Sequence, residues 1–150
     1  MGRRDSQTMF NAVGGQAITA SAASSNSVDL VDSLHQIGDA VKDIMLVVRV
    51  NQTFNTLTSL DVALQDSADN SSFADTAIKI PTILLAKLTI GTQILRIPLP
   101  TSGSGAAQVG SGQLGVPPEP NSLRRYLRMN YTVNGSNPTL GIIDAWLEIE

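Results

Sequence analysis

Apolar and polar positions alternate through most of this chain, in short runs separated by turn residues. The cleanest run is SLDVALQ, where Leu60, Val62 and Leu64 interleave with Asp61, Ala63 and Gln65. A period of two puts the first set on a buried sheet face and the second on a wet one. In IMLVVRV both sets are largely apolar, Ile44, Leu46, Val48 and Val50 against Met45, Val47 and Arg49. That predicts a strand in the middle of its sheet. Near the C-terminus, LRRYLRMNYTV sets Leu123, Leu127, Met129, Tyr131 and Val133 against Arg124, Tyr126, Arg128, Asn130 and Thr132. IIDAWLEIE sets Ile143, Ala145, Leu147 and Ile149 against Asp144, Trp146 and Glu148, and NGSNP between the two runs is a turn with Asn134 and Gly135 suited to positive φ.

Elsewhere the runs are weaker. AITASAAS and SVDLV read as short strands, the latter with Val28 and Leu30 on one face. SLHQIGDAVKD spaces Leu34, Ile37 and Val41 like two helical turns, but Gly38 interrupts them, so a loop is expected. TAIKI and TILLAKLTI are split at Pro81, which lacks a ladder donor and marks a strand end or an edge; TQILRIPLP follows. About eight short strands without a convincing helix predict an all-β fold, an antiparallel β-sandwich of which the jelly roll is one form. Periodicity leaves the strand order open. Residues 1–15, MGRRDSQTMFNAVGG, have no period and read as a flexible N-terminal arm, while 16–150 form one domain. Within it, 101–122 is a Gly/Ser/Pro loop too long for an ordinary turn.

Composition narrows the functional classes. At 150 residues with 42% hydrophobic content the chain is one domain with a packed core. Only 15% of it is charged and 4% aromatic, so neutral polar groups dominate the surface. A net charge of −3 gives no general attraction to nucleic acid or anionic membranes. The absence of cysteine removes disulfides, thiolate metal sites and thiol nucleophiles together. No apolar run approaches the roughly 20 residues that span a bilayer, and no secretory apolar region follows the N-terminus. The expectation is a soluble protein made and kept without export.

Candidate chemistry thins out on inspection. DSADNSSFADTA offers Ala68, Ser71 and Ala77 where a calcium loop needs a ligand, a glycine and a bidentate glutamate. A polar turn in which Asp and Asn bond their own backbone fits better, with Phe73 folding back onto the sheet. His35 stands alone, without a nucleophile elbow or a recognisable triad. GSGQLG and TSGSG lack the lysine and the helix of a phosphate loop. Arg124, Tyr126 and Arg128 interleave cations with an aromatic as a single-strand nucleic-acid platform does, but on an acidic protein an exposed or partner-facing strand is the better reading. Trp146 faces away from the apolar set of its strand, which leaves it to cap a second hydrophobic layer, anchor an interface or stack on a sugar. No catalytic residue, metal, cofactor or small-molecule substrate is expected.

The succession ITASAASSNSVDL, SLDVALQDSADNSSF, ILRIPLP, RRYLRMNYTV and GIIDAWLEIE resembles, in order across residues 17–150, the jelly-roll capsid cement (decoration) proteins of tailed bacteriophages. The resemblance implies a structural virion protein made in the bacterial host cytoplasm and seated on the outer capsid surface. It implies that the protein bridges neighbouring major capsid proteins, stabilises the shell, and forms homo-oligomers, with a homodimer ahead of a homotrimer. One departure bears on oligomer geometry: the segment from Thr101 to Asn121 exceeds the connection expected before RRYLR, and is long enough to reach a neighbouring subunit. Segments that order on binding cover large areas. The expected contacts with capsid or sister subunits are therefore Arg3, Arg4, Met9 and Phe10, Leu114, Val116, Pro117 and Pro118, with Arg124, Tyr126, Arg128 and Trp146 from the strands. The alternative is a carbohydrate-binding or host-adhesion module, which needs a coplanar platform built from Trp146, Tyr126 or Tyr131.

Overall fold

The computed structural model describes residues 8–30, 44–99 and 123–149. Among the described residues nine strands run β1 (Gln16–Ala17), β2 (Ala22–Ala23), β3 (Val28–Asp29), β4 (Ile44–Gln52), β5 (Leu57–Ser67), β6 (Ala74–Leu84), β7 (Gln93–Pro98), β8 (Tyr126–Gly135) and β9 (Ile142–Ile149). One sheet has the order β1-β9-β4-β7; the other has β2-β8-β5-β6, with β3 also on β8. Every pairing is antiparallel.

The order is nested. The first strand pairs the last, β2 and β3 pair the one before it, β4 pairs β7, and β5 pairs β6. A long antiparallel ribbon folded over itself gives this arrangement, which is the jelly-roll form of the β-sandwich. The alternation read from the sequence supplies the core between the sheets. Leu46, Val48 and Val50 of β4 and Ile143, Ala145 and Leu147 of β9 meet Leu60, Val62 and Leu64 of β5 and Leu127, Met129 and Tyr131 of β8. Val47, on the other face of β4, is buried as well, against Met9 and Trp146.

Pro81 does not end a strand. β6 continues through it to Leu84, and residues 85–87, expected within a further strand, form a 3-10 turn. Because β6 lies at a sheet edge, the missing donor costs the ladder little. Leu60 pairs with Ile83 and Val62 with Ile80, so β6 carries one residue more than β5 here. Thr82 takes φ 58 within this bulge, and its N–H donates to Asp61 Oδ1 at 2.7 Å. Proline, bulge and the exposed Lys79 together blunt an eleven-residue edge that would otherwise invite pairing with another chain.

Four connections gather at one end of the sandwich: 18–21, 53–56, 85–92 and 136–141. The turn at 68–73 lies at the opposite end, as do Leu30, Ile44, Leu99 and Leu123, where the described segments break off. The helix-or-loop reading at 33–43 and the long loop at 101–122 lie outside the described residues.

Candidate interaction surface

The outer face of the β8 sheet carries the cations singled out from the sequence, and the structure holds each of them in place. Arg124 donates from its backbone N to Asp66 Oδ2 at 3.0 Å, and from Nε and Nη2 to Oδ1 at 3.0 and 2.7 Å. Its Nη2 also reaches the Asp66 carbonyl at 2.8 Å. Such a forked contact fixes both the angle and the position of the guanidinium. Arg128 donates to Gln65 Oε1 at 2.8 Å and lies 4.1 Å from the Phe73 ring centroid, so Phe73 does fold back, onto a cation.

Arg125 was not among the residues predicted, yet it belongs to the same constellation. It donates to both Asp29 oxygens, at 2.9 and 2.8 Å, with its guanidinium 5.1 Å from the Tyr126 centroid. The signal in the sequence was the doubled arginine just before the strand, where alternation had not yet begun. Two of the three guanidiniums thus meet a carboxylate and the third meets an amide oxygen, an arrangement that orders a polar surface. It offers little free positive charge to a phosphate backbone.

The Asp61–Asp75 region sends its carboxylates to separate partners. Asp66 takes Arg124, and Asp75 accepts from Gln65 Nε2 at 2.7 Å. Asp69 Oδ1 accepts from the amides of Ser71 and Ser72, both at 2.9 Å, and from Ser67 Oγ at 2.8 Å. The Ser72 and Ser71 amides, and then the Ser67 hydroxyl, pull the Asp69 carboxyl down to about 2. This is the self-bonded turn that the residue types predict. Among the described residues, no three His, Cys, Asp or Glu side chains come together as a metal site.

Part of the outer face of the other sheet is covered by the chain itself, which corrects the arm expected at 1–15 over residues 8–12, while residues 1–7 lie outside the described residues. Residues 8–12 run antiparallel beside β9, on the edge where β1 also pairs, with the Phe10 amide donating to the Ala145 carbonyl at 3.0 Å. Met9 bridges to Trp146 and packs with it, Val47 and Met45, while Phe10 enters the main core. Asn11 locks the strap. Its Nδ2 donates to Asp144 Oδ1 at 2.9 Å and to the Ala12 carbonyl at 2.7 Å, and its Oδ1 accepts from the Ala145 amide at 2.8 Å. Asn51 adds Nδ2 contacts to the Gly14 carbonyl at 3.0 Å and to Asp144 Oδ2 at 3.4 Å. Further along β9, Glu148 pairs with Arg96 of β7. The strap has no sequence period because it pairs with β9 through a single bridge and leaves that strand again before β1, and for the same reason its apolar pair looked like an arm.

Met9, Phe10 and Trp146 are therefore occupied by packing within the chain instead of being presented to a partner. Trp146 takes the capping role among those open to it, with the Arg49 guanidinium 5.7 Å from its ring. No aromatic platform forms: Trp146 lies under the strap, Tyr126 on the opposite sheet, and Tyr131 in the core. Burial, and then the charge of Asp144, push the Tyr131 phenol well above its ordinary value. Of the other residues proposed as contacts, Arg3, Arg4, Leu114, Val116, Pro117 and Pro118 lie outside the described residues, as does His35.

The family model described as Bbp16 matches the sequence over residues 12–147. No curated protein matches the chain.

Proposed function

The chain belongs to the Bbp16 family, and from that premise we propose that it is a structural virion protein, a capsid cement (decoration) protein that binds the outer surface of a phage head. In this role it bridges neighbouring major capsid proteins and stabilises the shell, without catalysis, cofactor or nucleic-acid binding. It is made in the host cytoplasm and assembles with copies of itself as well as with the shell.

The observation that carries this reading is the ordered resemblance to capsid cement proteins, whose segments fall on β2 and β3, β5 with its turn, β7, β8 and β9, and so on both sheets of one jelly roll. Two features of the surface support it. Edge strands that are short, or interrupted by proline and bulge, keep many crowded copies from joining sheet to sheet. Paired arginines and a latched strap keep the exterior ordered before any partner arrives, which lowers the entropy lost per contact when many copies bind together.

The test is co-sedimentation of the purified protein with empty heads that lack it, followed by a thermal challenge of the decorated shells. Saturable binding with a raised shell-disruption temperature is expected. An absence of binding to both unexpanded and expanded heads refutes the reading.

A further inference from the structure

The end of the sandwich that gathers the connections 18–21, 53–56, 85–92 and 136–141, together with the turn at 12–15, has a distinct character. Val13, Leu84, Ile90 and Leu140 are the exposed large hydrophobic residues of the described chain, at 87, 55, 68 and 51% exposure, and all four lie there. Residues 12–21, 51–58, 84–92 and 134–142, which build this end, contain no carboxylate, and Lys87 is their one charged residue; the nearest charges lie inward, Arg49 and the buried Asp144 on Asn51 and Asp61 on Asn134. Asp29, Asp66, Asp69, Arg124 and Arg125 all lie at or near the opposite end. The molecule thus has a charged end and a neutral end tipped with aliphatic side chains.

The neutral tips are braced against one another. The segment 51–56 is the hub. Thr53 Oγ1 accepts from the Ile90 amide at 2.9 Å, Asn55 Oδ1 accepts from the Thr139 and Leu140 amides at 2.9 Å each, and Gln52 Oε1 accepts from the Gly141 amide at 3.1 Å. Asn51 holds the carbonyl of Gly14, beside Val13. The Phe54 amide donates to the Leu88 carbonyl at 3.0 Å, and the Phe54 ring fills the space where a Cβ at Gly141 would stand. Gly141 has φ 146, so side chain and backbone both require glycine there. Loops tied in this way present their apolar tips at fixed positions, with little ordering left for binding to complete.

We propose that this end is the surface that docks on the shell, against a protein patch that is apolar and uncharged polar and that supplies an acceptor for Lys87. The inference rests on the capsid reading and adds to it the face that meets the shell. The gathering of the exposed large aliphatic side chains of the described residues at one end is what a protein contact surface shows. The tips are aliphatic, with no exposed aromatic to stack on a sugar and no Trp or Tyr for a lipid headgroup boundary. A second copy docked end to end would bring two Lys87 side chains into one interface to which these segments contribute no carboxylate. A neutral contact also predicts weak salt dependence, because few ions are released on binding.

The test compares head binding by the wild-type chain, the tip variant Ile90→Glu/Leu140→Glu, and the control Ala68→Glu/Ser71→Glu, which adds equal charge at the opposite end. All four side chains are exposed. The tip variant is expected to bind at least thirtyfold more weakly with an unchanged melting temperature, the control to bind like wild type, and wild-type binding to change less than threefold between 0.05 and 0.5 M salt, on the order of what a contact with few ion pairs shows. A wild-type chain that never binds heads refutes the capsid reading itself. Binding of the tip variant equal to wild type, or loss of most binding at high salt, overturns the docking surface while leaving that reading in place. Dissociation of an oligomer by the tip substitutions, with head binding retained, assigns the tips to contacts between copies and also overturns it.

Discussion

Replacing Asn11 with alanine tests whether the N-terminal strap is part of the fold. The substitution removes the donor to Asp144 Oδ1 and the acceptor for the Ala145 amide, both at fully buried positions. A hydrogen bond to a charged group contributes about 1.5–3 kcal/mol, and a buried amide left unpaired costs about 1 kcal/mol or more. Asp144 keeps its longer contact with Asn51, which moderates the loss. The expected destabilisation is about 3 kcal/mol. With a urea m-value near 2 kcal/mol/M, this moves the unfolding midpoint by about 1.5 M. The assay is equilibrium urea unfolding followed by Trp146 fluorescence, since that indole packs under Met9 of the same strap. Val13→Ser, at an exposed position next to the strap, is expected to leave the midpoint unchanged. An Asn11→Ala change below about 1 kcal/mol at an unchanged m-value would mean that the Asn11 contacts do not hold residues 8–12 to the sheet, and the argument for Asn11 as the lock of the strap would fail.

Two further outcomes follow from single residues. Tyr131 is fully buried, and its hydroxyl has no hydrogen-bond partner among the described residues, so Tyr131→Phe should raise stability by about 1 kcal/mol in the same assay; a loss of that size would reveal a partner for the hydroxyl. The folded Asp69 carboxyl lies near 2 against an ordinary value of 3.8, so its contribution to the 68–73 turn is complete above the higher value and is lost as pH falls through the lower one. Amide exchange at Ser71 and Ser72 should stay protected at pH 5 and lose protection between about pH 4 and 2. Unchanged protection at pH 2 would refute the Asp69 contacts.

Local pattern in the sequence determined a great deal about this protein. Period-two alternation in β4, β5, β8 and β9 picked out the inward side chains of both sheets, because a pleated strand with one buried face leaves no other choice of register. The same residues reported the polar turn at Asp69, since an Asx side chain bonds the amides two and three positions ahead of it. The ordered segments also carried the resemblance on which the functional proposal rests. Tertiary structure decided whatever depends on partners distant in the chain. It nested β1 with β9 and β4 with β7, continued β6 through Pro81 because that strand lies at an edge, and buried Phe10 in the core and Met9 against Trp146 on the outer face. It also assembled the neutral end from five segments, none of which stands out alone. Periodicity reports which face of an element is buried, whereas the identity of what buries it depends on chain closure across more than a hundred residues, as between Asn11 and Asp144.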